Sequence, residues 1–154
     1  MQGNARLTGV EFSAEYHPTP YLHLSGTADY TRGQNRSTDQ PLPLVPPFRA
    51  TYSAQFEGKG NGLFQSPYVS VGAESNARQT KLDPNDVAPA GYTLANVGAG
   101  VALATGPRLV HVDVTLRNAF NKQYQSFLSR YKFASDPVVL DPCRNLTVRV
   151  STDF

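Results

Sequence analysis

Histidine and acidic side chains are the groups in this sequence whose chemistry could go beyond holding a fold. His111 and Asp113 lie two residues apart, so on an extended chain they point to the same side and could form a pair. Two such groups without a third do not make a zinc site. No segment resembles a catalytic triad, a phosphate-binding loop or a carboxylate pair arranged for acid–base work. The sequence therefore predicts no enzyme, no metal site and no cofactor.

The elements that would position these groups show two-residue alternation of apolar and polar residues, with almost no helical periodicity. About seven segments repeat the alternation, most of roughly the 9–11 residues that cross a bilayer as a tilted strand. We expect an all-β fold, an antiparallel up-and-down meander of these strands. The polar positions of the strands would then share one face, and in a barrel that face lines the lumen. The candidates there are His23, Asp29, Glu74, His111, Asp113 and Arg117. An ordinary solvated wall of mutually paired polar groups is the alternative.

Connections between the segments alternate strictly in length. Residues 17–20, 58–62 and 105–107 are short and rich in Gly and Pro, whereas residues 33–47, 77–91 and 119–144 form long loops. Short turns at one end and long extracellular loops at the other are typical of outer-membrane barrels. Aromatic residues add a second sign, because Tyr16, Phe56 and Phe154 fall at short-turn ends, and Tyr30 and Phe48 at long-loop ends. Such positions indicate two aromatic girdles at the membrane interfaces, although Tyr52 lies mid-strand.

Composition narrows the function classes. Charged residues are 17% of the chain and the formal net charge is +2, so no basic patch for nucleic acid is indicated. No run approaches the roughly 18 apolar residues of a membrane helix, and a negative mean hydropathy is also what alternating barrel strands give. The single cysteine, Cys143, excludes a disulfide within the chain and has no assigned role.

Five segments, in order, resemble the C-terminal part of TonB-dependent outer-membrane receptors. They are LTGVE at 7–11, PLPLVPPFR at 41–49, GYTLANV at 91–97, RNAFNKQY at 117–124 and DPCRN at 141–145. The second is similar to the family's proline-rich loop, the third to its "GYTLLNL" strand opening and the last to the "PGRN" that opens the final strand. Cys143 stands where the family usually has glycine, so this loop departs from the pattern.

The resemblance implies a fragment of a transmembrane barrel. Family barrels have about 22 strands around a plug domain, so residues 1–154 would be the C-terminal part, with the plug and earlier strands absent. The parent would import a scarce ligand, such as an iron-siderophore, cobalamin or metal, across the Gram-negative outer membrane with TonB-supplied energy. Its partners would be outer-membrane lipid and lipopolysaccharide, TonB through the plug, and the barrel-assembly machinery, which reads a terminal aromatic such as Phe154.

The transported ligand stays open, and so do two other readings. A small self-contained barrel, porin-like or adhesin-like, and a soluble β-sandwich binding module both accommodate alternating strands. The last long loop offers candidate ligand contacts, because exposed aromatics beside cations could touch a substrate or lipopolysaccharide phosphates. These candidates are Phe127, Arg130, Tyr131, Lys132 and Phe133. Packing of the loop on its neighbours is the alternative.

Overall fold

Two-residue alternation builds seven antiparallel strands in the computed structural model, which describes residues 4–129, 133 and 139–152. The strands are β1 Ala5–Thr19, β2 Leu22–Asn35, β3 Arg49–Glu57, β4 Phe64–Asn76, β5 Tyr92–Thr105, β6 Arg108–Arg117 and β7 Asn145–Thr152. They form one sheet in the order β1-β2-β3-β4-β5-β6-β7, so each strand pairs with its neighbour in sequence. The predicted all-β meander is therefore confirmed. The described residues contain no helix of the length and apolarity needed to cross a membrane.

The alternation of turn and loop lengths is also confirmed. Thr105 pairs with Arg108 across a two-residue turn in which Gly106 has φ +64°, the conformation that glycine adopts at the first position of a II′ hairpin. Long connections join β2 to β3, β4 to β5 and β6 to β7 at the opposite end of the sheet.

The first hairpin is longer than its alternation predicts. β1 and β2 contain 15 and 14 residues, and their pairing continues to Ala5 opposite Asn35. Asp29 pairs with Arg49, the first residue of β3. Tyr30 therefore lies level with Phe48, just before β3 begins. The hairpin therefore extends beyond the other strands by the pairs from Gly9–Thr31 to Ala5–Asn35. On the β2 side of this extension the residues are polar apart from Gly33, so no apolar alternation marks it there.

Two bulges change which way side chains point. The expected turn at residues 17–20 is wrong in detail, because β1 continues to Thr19, which pairs with Leu22. His17 and Pro18 form a bulge there, a position in which proline loses no ladder hydrogen bond. In β4 the register shifts between Gln65 and Tyr68, and Ser66 has φ +45°. An extra residue in a strand reverses the facing of the residues after it.

The two faces of the sheet have opposite character. Register pairs such as Ala54–Val71 and Val71–Val97 place the apolar residues on one side, called here the apolar face. Its side chains are strongly exposed, with Val10 at 71% and Val150 at 65%. The opposite side, the polar face, carries hydroxyl, carboxylate and amide groups. Few apolar side chains of the described residues are buried, among them Val45, Leu94, Ala102 and Phe127.

The sheet is open in the part of the chain that the structure describes. Contacts occur between successive strands, and none joins β1 to β7. All residues of β1 are exposed, on both faces. A single open sheet with an exposed apolar face differs from a β-sandwich, in which two sheets bury their apolar faces against each other. The soluble-sandwich reading is therefore wrong.

Candidate functional site

Hydroxyl groups cross-link the middle of the polar face. Ser25 and Ser53 lie opposite each other on β2 and β3, with their Oγ atoms 2.7 Å apart. Thr27 and Thr51 form the next such pair, at 2.6 Å between Oγ1 atoms. A depression of about 290 Å³ opens beside them on the same face. The middle of this face is thus a hydrogen-bonded surface that solutes in water could contact.

A tyrosine links three strands on this face. The bulge at Ser66 turns Tyr68 of β4 to the polar side, opposite Gly100 of β5. The Tyr68 hydroxyl donates a hydrogen bond of 2.7 Å to Oδ1 of Asp113 on β6. Gly100 lies beneath this bridge, since a Cβ there would fall on the Tyr68 ring and 2.5 Å from the Asp113 oxygen. Only glycine leaves room for the phenol to cross β5.

Charged groups gather near the long-loop end of the polar face. Asp29, Arg49 and Glu74 lie on β2, β3 and β4 and are named here the rim triad. Arg49 pairs in register with Asp29, and its Nε lies 3.4 Å from Oε1 of Glu74. The Asn76 side chain donates a 2.9 Å hydrogen bond to the same Glu74 oxygen. Because Arg49 and Glu74 remain partly exposed, their ion pair contributes little to stability.

Two of the long loops are tied together above the rim triad. Gln79 is buried, and its side-chain amide donates to the carbonyl oxygen of Val45 at 2.8 Å. Its own side-chain oxygen accepts from the backbone of Thr80 and Lys81 at 3.0 Å. The Leu44 amide donates to Asp86 at 3.2 Å, which adds a second link between the loops. These hydrogen bonds hold the loop after β2 and the loop after β4 together, and the two linked loops are called here the roof.

Two cavities lie between this roof, the last long loop and the rim triad. The first, of about 330 Å³, is lined by the rim triad together with Pro46, Tyr92 and Phe127. The second, of about 550 Å³, shares Arg49 and Glu74 and extends to Arg117, Tyr124 and Cys143. A space with charged walls and aromatic edges could hold a small polar molecule.

Aromatic rings close the side of these cavities. The Tyr92 and Tyr124 rings lie 4.4 Å apart between centroids, in a tilted arrangement. Burial raises the pKa of the Tyr124 phenol, and the negative charges of Asp141 and Glu74 raise it further. A neutral phenol keeps its proton and can donate a hydrogen bond into the cavity.

The register places all six predicted polar candidates on the polar face. Glu74 forms an ion pair with Arg49, Asp29 lies opposite Arg49 in the strand register, and Arg117 lines the neighbouring cavity. Asp113 accepts the hydrogen bond from Tyr68, and its pairing with His111 stays a prediction. His23 lies apart from these, at the short-turn end, where it contacts His17 and Glu57. A role for these six residues in ligand passage stays a prediction.

The predicted loop contacts divide into two groups. Phe127 is only 7% exposed and lines the first cavity, which agrees with packing of the loop on its neighbours, the alternative left open for it. Phe133 is exposed. Arg130, Tyr131 and Lys132 lie outside the described residues, as does the predicted assembly residue Phe154.

Sequence reasoning missed Arg49, Tyr68 and Gly100. Arg49 had a usable signal, because it alternates with the apolar residues of β3 just as Asp29 does on β2. Tyr68 gave none, since the bulge that turns it inward is visible only in the register. No group of three or more His, Cys, Asp or Glu side chains in the described ranges could hold a metal ion.

Comparison with known proteins decides the family. A family model described as TonB dependent receptor-like, beta-barrel matches residues 2–121 of the chain. The chain belongs to the TonB-dependent receptor family. A solved structure of the copper transporter OprC superposes with a TM-score of 0.81 over 95% of this chain, at 22% identity, which shows a shared fold. The chain spans only 23% of the length of that transporter chain. None of the curated proteins matches.

Proposed function

We propose that this chain is one section of the wall of an outer-membrane transporter of the TonB-dependent receptor family. In this section the polar face lines the lumen and the apolar face contacts lipid. The observation that carries the proposal is the exposed apolar face of the sheet, on which Val10, Val71 and Val150 are 71%, 58% and 65% exposed. Such exposure would be costly in water. In a bilayer those residues are solvated by lipid tails, and every strand of the spanning wall needs a hydrogen-bonded neighbour on both sides.

The rim triad and the two cavities above it are the proposed entry for the cargo. They lie at the long-loop end, which faces outside the cell in outer-membrane barrels. Carboxylates, a guanidinium and neutral phenols can bind a small polar or metal-containing solute without holding it tightly. The matched transporter carries copper in its name. A metal ion or metal complex is therefore the first cargo to test, and no observation singles out an iron-siderophore.

The proposed partners follow from the same placement. Lipid and lipopolysaccharide would surround the apolar face and the long-loop end of the sheet. A plug domain that binds TonB would fill the lumen. Residues 1–154 would then be the C-terminal part of the barrel, and Phe154 would close the strand that the assembly machinery reads. Deleting Phe154 should lower the amount of protein that reaches the outer membrane while leaving synthesis unchanged, as measured by surface labelling.

Uptake of labelled cargo tests this function. Cells carrying the natural full-length protein are offered radioactive copper, a ferric chelate and cobalamin in turn, with and without TonB. We expect accumulation of one of these to depend on both TonB and the protein, and to fall in Arg49→Gln cells. Arg36→Gln is the matched control, because Arg36 is an exposed arginine of the same rim outside the cavities. Recovery of the protein in the soluble fraction would contradict the proposal.

A further inference from the structure

Three side chains at the short-turn end of the polar face have no part in the proposed transport route. His17 comes from the bulge of β1, His23 from the start of β2, and Glu57 from the end of β3. They lie at the opposite end of the sheet from the rim triad. His23 contacts both of the other side chains.

The two imidazoles face each other through the same type of nitrogen. His17 Nδ1 and His23 Nδ1 are 2.6 Å apart, and the rings meet edge to face with an interplanar angle of 73°. The bulge is what makes this possible, since His17 and Pro18 together oppose the single residue His23. The two Nδ1 atoms thus face each other across a hydrogen bond in which either imidazole can be the donor. A metal ion that binds both nitrogens would replace that proton.

The far nitrogen of His23 is supported by a carboxylate. His23 Nε2 is buried, has no hydrogen-bond partner among the described residues, and lies 3.6 Å from Oε2 of Glu57. The Gln55 side-chain amide donates a 2.9 Å hydrogen bond to the other oxygen of Glu57 and so holds the carboxylate in place. A proton on Nε2, directed to Glu57, leaves the lone pair on Nδ1. This carboxylate–histidine arrangement is the one that orients metal-ligating histidines.

We propose that His17 and His23 bind a transition-metal ion through their Nδ1 atoms, with Glu57 positioning His23. The protein supplies two ligands, and water or a solute fills the remaining positions. Two nitrogens at about 2.0 Å from one metal ion lie about 2.8–3.3 Å apart, so a small outward shift of the imidazoles from their 2.6 Å contact would admit the ion. Imidazole ligands bind Cu²⁺ more tightly than Zn²⁺, and the site should therefore favour Cu²⁺.

Copper titration of the natural full-length protein in detergent tests this site. The metal-stripped protein is titrated with Cu²⁺ and followed by electron paramagnetic resonance. We expect a signal from copper with two equatorial imidazole nitrogens, which disappears in His17→Gln and in His23→Gln. His111→Gln is the matched control, because His111 is the one other histidine of the chain and lies on β6. Unchanged copper binding in both His17→Gln and His23→Gln would overturn the proposal.

Glu57→Gln tests the site while both ligands stay in place. Loss of a supporting carboxylate typically weakens metal binding about 10–100-fold, and we expect a loss in that range with the two-nitrogen signal retained. Zn²⁺ should displace Cu²⁺ only at large excess. An unchanged affinity in Glu57→Gln would remove Glu57 from the site, and tighter binding of Zn²⁺ than of Cu²⁺ would contradict the expected preference for copper.

Discussion

The two faces of the sheet expose side chains of opposite character. On the polar face, Tyr68 bonds to Asp113, Arg49 meets Glu74, and threonine and serine hydroxyls pair across strands. On the apolar face, Val69, Val71 and Val97 are exposed and lie side by side along the sheet. A water-soluble protein buries the second kind of face. The difference teaches that the solvent of each face, and not a packed core, organises this chain.

The largest expected effect comes from placing a charge on the apolar face. Val71 lies in the middle of the central strand β4. Val71→Arg should destabilise the natural full-length protein in lipid vesicles by about 2–4 kcal/mol. Ser70→Arg, one residue away on the polar face, should cost far less, because its side chain reaches water above Gly98. The measurement is the free energy of unfolding in urea. Equal losses in the two variants would contradict the assigned faces.

A smaller effect is expected where the polar face is most closely packed. Gly100→Ala would place a methyl group against the Tyr68 ring and Asp113, so we expect a loss of about 1–3 kcal/mol from overpacking. Gly26→Ala is the control on the apolar face, where the nearest atom, a backbone oxygen of Thr51, would be 3.6 Å away. Both are followed by unfolding in urea. If the two substitutions cost the same, the bridge over Gly100 is not formed.

The Tyr68 hydroxyl alone should contribute less. Tyr68→Phe removes its hydrogen bond to Asp113 and should cost about 1 kcal/mol, near the usual range for a single bond. Tyr52→Phe on the apolar face removes only a 3.4 Å contact with Ser75 and should cost almost nothing. Differential scanning calorimetry of the two variants compares them. A larger loss for Tyr52→Phe would reverse the ranking of the two faces.

The smallest effect concerns a hydroxyl pair. Thr27→Val or Thr51→Val alone should cost up to about 1 kcal/mol, because the remaining hydroxyl loses its partner. The double substitution should cost less than the sum of the two single ones. A double-mutant cycle in urea measures this coupling. Strict additivity would show that the hydroxyls do not interact.

Much of the fold could be predicted from the alternation of apolar and polar residues. Most of the side-chain contacts on the polar face could not. His111 and Asp113 fall on the expected face because a strand reports its facing through every second residue. The contact between His17 and His23 was out of reach, since it depends on a bulge at Pro18 that the sequence presents as a turn. Tyr68 and Asp113 are 45 positions apart and meet across a third strand. Local patterns carry no information on such contacts.

The most direct test of lipid contact compares two neighbouring positions. Single cysteines replace Val71 and Ser70 in a Cys143→Ser background, which removes the exposed native thiol. Each carries a nitroxide spin label in the full-length protein in lipid vesicles. A lipid-facing apolar face predicts that oxygen relaxes the label at position 71 more strongly, and that a water-soluble nickel chelate relaxes the label at position 70 more strongly. The reverse order, or equal relaxation at both positions, would contradict the proposed membrane wall.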